Sequence, residues 1–238
     1  MKQIIALGDS IMRGIILDIS QDKLKPRYTQ LDNNFVSICS ARLGCEIKNY
    51  GRFGNTTQRA LHSFERYKSD IERAEYAIIE FGGNDCDHHW HDIANNPSAE
   101  HHPFTSIPQY AEQLQQLIIS IQQLGTKPVL LSLPPIIAEQ YFAAFTKDMT
   151  LAQQYNVMLW LNGCLENITQ WHEMYNLALF KLASDNRIDV IDITTPFLVK
   201  RDYRSLFCSD GIHPNALEHK LIADTICSHA DILVSSAI

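Results

Sequence analysis

Long apolar runs and clusters of basic residues are both missing from this 238-residue chain. No uninterrupted apolar segment approaches the roughly 20 residues that a membrane-spanning helix needs. The opening Met1–Leu7 stretch runs straight into Gly8 and is too short for a signal-peptide core, which reads as a cytoplasmic protein with no membrane span. Lys and Arg total 20 against 27 Asp and Glu, a formal net charge of −7, and the basic residues are scattered. An acidic surface repels phosphate backbones, which argues against sequence-independent nucleic-acid binding and leaves room only for a local basic cleft. The six cysteines (Cys39, Cys45, Cys86, Cys164, Cys208 and Cys227) form no CxxC pair and no tight disulfide spacing, so most read as reduced core residues, with Cys86 set apart by its place beside a motif at a strand end. Also lacking are a GxxxxGK[ST] loop, a GxGxxG turn and a GxSxG elbow. The first two absences remove the usual nucleotide signatures, and no cofactor is expected. The third sets the chain apart from the common α/β-hydrolase fold.

What is present is an alternation of short strands and helices. Ile4–Leu7, Tyr76–Phe81, Pro128–Leu133 and Ile188–Ile193 are nearly continuously apolar, as strands covered on both faces are. Glu46–Tyr50 is more mixed and suits an edge. Helical patterns occupy Phe35–Leu43, Thr56–Arg73, Ile107–Leu124, Leu151–Leu182 with a break near Asn162–Gly163, and Asn215–His229. In Ile107–Leu124 the apolar residues fall at helical period, with Pro108 in the first turn and Gly125 as the stop. The alternation predicts one α/β domain over 1–238, three-layered α/β/α and flavodoxin-like, on a five-stranded parallel sheet. Two segments exceed a simple crossover: 86–105 and 134–187. Long excursions at strand ends line or cover sites.

The chemistry-bearing residues follow the strands. The first strand ends in Gly8-Asp9-Ser10. The second ends in Asn49-Tyr50-Gly51-Arg52-Phe53-Gly54-Asn55-Thr56 and the third in Gly82-Gly83-Asn84-Asp85. If the second strand lies beside the first, and the first beside the third, all three motifs meet in one crevice beyond the strand ends. Near the C-terminus, Asp210-Gly211-Ile212-His213-Pro214 enters the last helix. Each motif alone also reads as a turn or helix cap; their coincidence points to catalysis.

These four segments resemble the blocks of the GDSL-type (SGNH) hydrolase superfamily, in family order from residue 8 to residue 214. The resemblance implies a serine esterase that cleaves a carboxylic ester through an acyl-Ser10 intermediate. Ser10 matches the nucleophile and Asp210 with His213 the base pair. The backbone N–H groups of Ser10 and Gly54, with the Asn84 amide, match the oxyanion hole. Gly54 is preferred to Gly51 because Gly-Asn-Thr-Thr resembles the family pattern before a helix. The chemistry is coherent: a serine hydroxyl is a weak nucleophile until a base takes its proton, and attack on an ester creates an oxyanion that needs donors. Asp9 is read as supporting the loop. A catalytically inactive small-molecule binder on the same fold is the alternative from another class; a lysophospholipase or thioesterase is the alternative if long acyl chains are accepted.

Two further constellations stay open. Asp85–Asp92 with His101-His102 reads as a divalent metal site, as a substrate wall in which His89 and Trp90 face the ester, or as a polar loop anchored by its Trp. The family needs no metal, and the segment's polarity favours a small polar ester, such as an acetylated sugar. His172-Glu173 begins an HExxH pattern, but Asn176 stands where the second His should be. Trp171 and Tyr175 share a helical face and pack either in the core or along the cleft, where Trp171 would touch substrate.

Overall fold

The computed structural model describes residues 3–18 and 26–233. Strand β1 (Gln3–Gly8) turns directly into a short helix α1 (Ser10–Arg13), followed by an antiparallel hairpin of β2 (Ile15–Asp18) and β3 (Arg27–Gln30). Helix α2 (Phe35–Leu43), β4 (Glu46–Asn49), α3 (Thr57–Glu72) and β5 (Tyr76–Glu80) complete the first half. Then come α4 (Trp90–Asn95), α5 (Ile107–Gln123), β6 (Lys127–Leu131), α6 (Ala138–Thr146), α7 (Leu151–Trp160), α8 (Glu166–Asn186) and β7 (Asp189–Ile191). Three helices close the chain: α9 (Thr195–Leu198), α10 (Ala216–Ser228) and α11 (Ala230–Leu233).

The five parallel strands lie in the order β4-β1-β5-β6-β7, which is the expected arrangement. Alternation along the buried strands sorts their side chains into two cores. Ile4, Ala6, Ile78, Val129 and Leu131 face Phe35 and Cys39 of α2 and Ile222 and Ile226 of α10. Ile5, Leu7, Ala77, Ile79 and Leu130 face α3, α5 and α8, where Tyr110, Leu114, Leu117 and Leu179 meet them. A third cluster lies off the sheet. Trp90 and Ile93 of α4, Ala138 of α6, Val157 of α7 and Ile168 of α8 pack together over the C-terminal strand ends.

Most of the expected elements stand within a residue or two of their bounds. The break after α7 falls at Asn162 and Gly163, both with positive φ (53° and 72°). Strands β6 and β7 are shorter than expected because side chains take over their ladder. Ser132 Oγ accepts the Ile193 and Thr194 N–H groups, and Asn176 Oδ1 accepts that of Leu133. The β2–β3 hairpin was not foreseen. Its β3 residues are all exposed, so they carry no apolar alternation to read.

Helix α10 carries a cost at its start. Both Glu218 carboxylate oxygens are buried without a hydrogen-bond partner among the described residues. Burial pushes this carboxyl from 4.5 to about 9. The folded chain therefore keeps a proton that the unfolded chain loses, and stability falls as pH rises between those values, by up to about 1.4 kcal/mol per unit. Glu218→Gln should flatten that decline, measured by urea unfolding at about pH 5 and about pH 8; an unchanged pH slope would refute the assignment.

Candidate active site

The site begins where β1 stops. A Cβ on Gly8 would lie 2.5 Å from Met12 Cβ and 2.8 Å from the Glu80 carbonyl, so only glycine lets the strand turn at once into α1 beside β5. Asp9 caps that helix: its Oδ1 accepts the Ile11 N–H at 2.8 Å. Ser10 is thereby set at the first position of the helix, at the edge of the sheet.

The imidazole comes from the other end of the chain. Asp210 Oδ1 accepts the backbone N–H groups of Ile212 (3.2 Å) and His213 (3.1 Å), which curls residues 210–213 into an Asx turn. That turn brings His213 Nδ1 within 2.7 Å of Asp210 Oδ2 and His213 Nε2 within 2.9 Å of Ser10 Oγ. A carboxylate can only accept, so Nδ1 carries the ring proton and Nε2 is free to accept from the serine hydroxyl. The hydrogen bonds from His213 hold the Asp210 carboxyl below its ordinary value despite burial, which keeps it ionised. Asn215 then caps α10 through the N–H groups of Leu217 and Glu218, so the turn is anchored on both sides. Tyr28 and Phe53 pack on the imidazole, their ring centroids 5.2 and 6.0 Å from it.

Asn84 approaches from the end of β5. Its Nδ2 donates to Asp9 Oδ2 at 2.8 Å. Below lies Glu80, fully buried, whose Oε2 faces the Asp9 N–H at 3.5 Å. Burial, and then the neighbouring Asp9 carboxylate, push Glu80 well above its ordinary value. Asp85 accepts from the Thr57 hydroxyl at 2.6 Å and from the Thr57 N–H, tying this loop to α3; burial pushes it to about 6.

The two glycines proposed for the second block differ. The Gly51 N–H donates to Asn49 Oδ1 at 2.8 Å, and a Cβ there would strike the Arg13 backbone. Gly54 adopts φ +65° and its N–H has no protein acceptor among the described residues. Gly54 sits behind Phe53 rather than in the cleft wall itself.

A cavity of about 230 Å³ opens beside Ser10, Asn84 and His213. Its far walls come from both excursions: Asp87, His88 and Trp90 from the first, and Ile136, Tyr141, Ile168, Trp171 and His172 from the second. Asp87 Oδ1 accepts from Trp90 Nε1 (2.8 Å) and Tyr141 Oη (2.6 Å), which locks the two excursions together. Trp90 and Trp171 line the cavity, whereas Tyr175 goes into the core, its hydroxyl on the Thr105 carbonyl. His89 does not face the cavity. It is exposed, edge-on to Phe104, because consecutive residues leave this loop in opposite directions and its neighbour His88 turns inward. His88, one of the histidines of that loop, is packed among Trp90, Trp160 and Trp171 and held by burial down at about 4, hence neutral. Tyr28 lies on the hairpin whose exposed strand gives no signal in the sequence. Among the described residues no three His, Cys, Asp or Glu side chains converge to hold a metal ion. No helix among them is long and apolar enough to cross a membrane.

A five-stranded parallel sheet between helical layers, with this cleft at its C-terminal edge, is the fold of the SGNH-type ester hydrolases. The chain belongs to the GDSL-like lipase/acylhydrolase family, whose model matches residues 6–221. It is 24% identical over 180 residues to the GDSL esterase/lipase CPRD49 of Arabidopsis thaliana, a match that takes in 74% of this chain and 62% of the plant protein. Among solved structures it resembles a lipase/acylhydrolase from Enterococcus faecalis (TM-score 0.63, 17% identity, 98% of this chain and 97% of that one). It also resembles a catalytic mutant of Axe2, an acetylxylan esterase from Geobacillus stearothermophilus (TM-score 0.64, 16% identity, 95% and 93%). At these identities the likeness is one of fold.

Behind the Cys86–His88–Trp171 wall lies a second cavity of about 370 Å³ that shares those three residues. Trp171→Ala should join the two. Each added methylene of an acyl chain would then find apolar room worth about 0.8 kcal/mol. The kcat/KM ratio of p-nitrophenyl hexanoate to acetate should rise roughly tenfold or more; an unchanged ratio would mean that Trp171 is not the partition.

Proposed function

We propose that this protein is a serine esterase that hydrolyses short-acyl carboxylic esters through an acyl-Ser10 intermediate. The observation that carries this reading is the continuous relay from Asp210 through His213 to Ser10, with links of 2.7 and 2.9 Å. His213 takes the Ser10 proton as the hydroxyl attacks the ester carbonyl, then returns it to the leaving alcohol. Asp210 holds the imidazole in the Nδ1–H tautomer and stabilises its protonated form. Water, activated by the same histidine, releases the acid and restores Ser10. The oxyanion is received by the Ser10 N–H and the Asn84 amide, which Asp9 orients.

The cavity supports a short acyl group. At about 230 Å³ it is below the 300–1,000 Å³ of pockets that hold drug-sized ligands, and aromatic side chains close its far end. The structural neighbour Axe2 is an acetylxylan esterase, and an acetyl ester of a polar alcohol fits the polar groups Asp87, His88 and His172 on the cavity wall.

The experiment is hydrolysis of p-nitrophenyl esters of graded length, with fluorophosphonate labelling, in wild type and Ser10→Ala. We expect short esters to be turned over and labelling to occur only in wild type. Equal hydrolysis by both proteins would sink the reading. Asn84→Ala should lower kcat by about 10²–10³ with a smaller change in KM, as for a contact made in the transition state; a pure KM effect would remove Asn84 from the oxyanion hole.

A further inference from the structure

A basic cavity of about 370 Å³ adjoins the cleft on the side away from the tryptophans. Arg59, His62 and Arg66 project into it from α3, and Arg52 faces them from the turn after β4. Positions 59, 62 and 66 follow helical spacing, so one face of α3 presents all three. No carboxylate pairs with Arg52, Arg59 or Arg66 among the described residues, and none lines the cavity. Several cations elsewhere do have a carboxylate partner, among them Arg42 with Asp224, Arg204 with Glu139, and Lys48 and Arg73 with Asp70; what sets Arg52, Arg59 and Arg66 apart is that all three line one cavity. In a chain of net charge −7, three guanidinium groups gathered without a counter-charge are a local exception. Such a group repels itself until an oxyanion neutralises it, and planar guanidinium forks suit phosphate oxygens in particular.

Its position says which part of a substrate it would meet. Phe53 lines both the basic cavity and the catalytic cleft. Its ring lies nearly parallel to the His213 imidazole, 16° between planes. His213 delivers the proton to the departing alcohol, so the alcohol leaves on the His213 and Phe53 side while the acyl group occupies the cavity beyond Asn84. Arg59 also reaches back to the loop that carries Phe53, its Nη1 donating to the Gly54 carbonyl at 2.6 Å.

We infer that the Arg52–Arg59–His62–Arg66 cavity is a subsite for a phosphate group on the alcohol portion of the ester, so that the preferred substrate is a short-acyl ester of a phosphorylated alcohol. This inference rests on the esterase reading of the cleft.

The test has one arm that needs no turnover. Full-length Ser10→Ala is titrated calorimetrically with glycerol 3-phosphate and with glycerol. The phosphate ester should bind, at least about tenfold more weakly in the added Arg52→Ala/Arg66→Ala background, and glycerol should not. In the second arm, enzyme with Ser10 intact is given acetylglycerol with and without a 3-phosphate at low ionic strength. The phosphorylated ester should have a kcat/KM about tenfold or more above the neutral one. That preference should collapse in Arg52→Ala/Arg66→Ala and with added salt, while hydrolysis of p-nitrophenyl acetate is unchanged. Absence of any phosphate preference, or a preference that survives the double substitution, would overturn the subsite. p-Nitrophenyl acetate carries no phosphate, so its hydrolysis reports on the esterase reading alone. Failure there with phosphate binding intact would separate the two.

Discussion

The Asp9 carboxylate joins the ends of two adjacent strands. One oxygen accepts the Ile11 N–H and so sets the first turn of α1 on β1; the other accepts the Asn84 amide at the end of β5. A buried carboxylate is costly unless its lone pairs are satisfied. Here each oxygen has a donor, and beneath them burial and the neighbouring Asp9 push Glu80 well above its ordinary value. The serine and the amide, 74 residues apart in sequence, are thus held by one carboxyl group rather than by their own loops. Burial raises Asp9 itself, but the Ile11 N–H and Asn84 bonds oppose that rise.

Around this joint the cleft is asymmetric. Its Trp90–Trp171 end is built from the two excursions, whose helices pack on one another, with Asp87 bridging Trp90 and Tyr141. Aromatic side chains dominate that end, with Asp87, His88 and His172 among them. The His213 end is open and aromatic, with Tyr28 and Phe53 against the imidazole and unpaired arginines beyond. The two halves of the cleft therefore differ in both shape and charge.

Much of this was legible in the residues. Continuous apolar runs at Ile4–Leu7 and Tyr76–Phe81 marked strands buried on both faces, and the motifs at their ends marked the crevice. Asp210 and His213, three apart, could only share one turn. The roles that depend on contacts between distant segments were not legible. Glu80 lies inside a run that reads as apolar, and its acidity makes sense only once Gly8 pairs with it in the sheet and places Asp9 alongside. His88 and His89 are indistinguishable as letters; packing among three tryptophans chose between them.

The strands, most of the helices, the two long excursions and the motifs at the strand ends were therefore legible in the sequence itself, because periodicity and turn chemistry are local and each residue carries its own. The direction each loop side chain faces, the joining of Asn84 to Asp9, the Tyr28 hairpin against His213 and the gathering of arginines beside Phe53 were decided only by the tertiary structure. Burial, hydrogen bonding and uncompensated charge are properties of neighbours in space, and those neighbours are set only when the chain has closed.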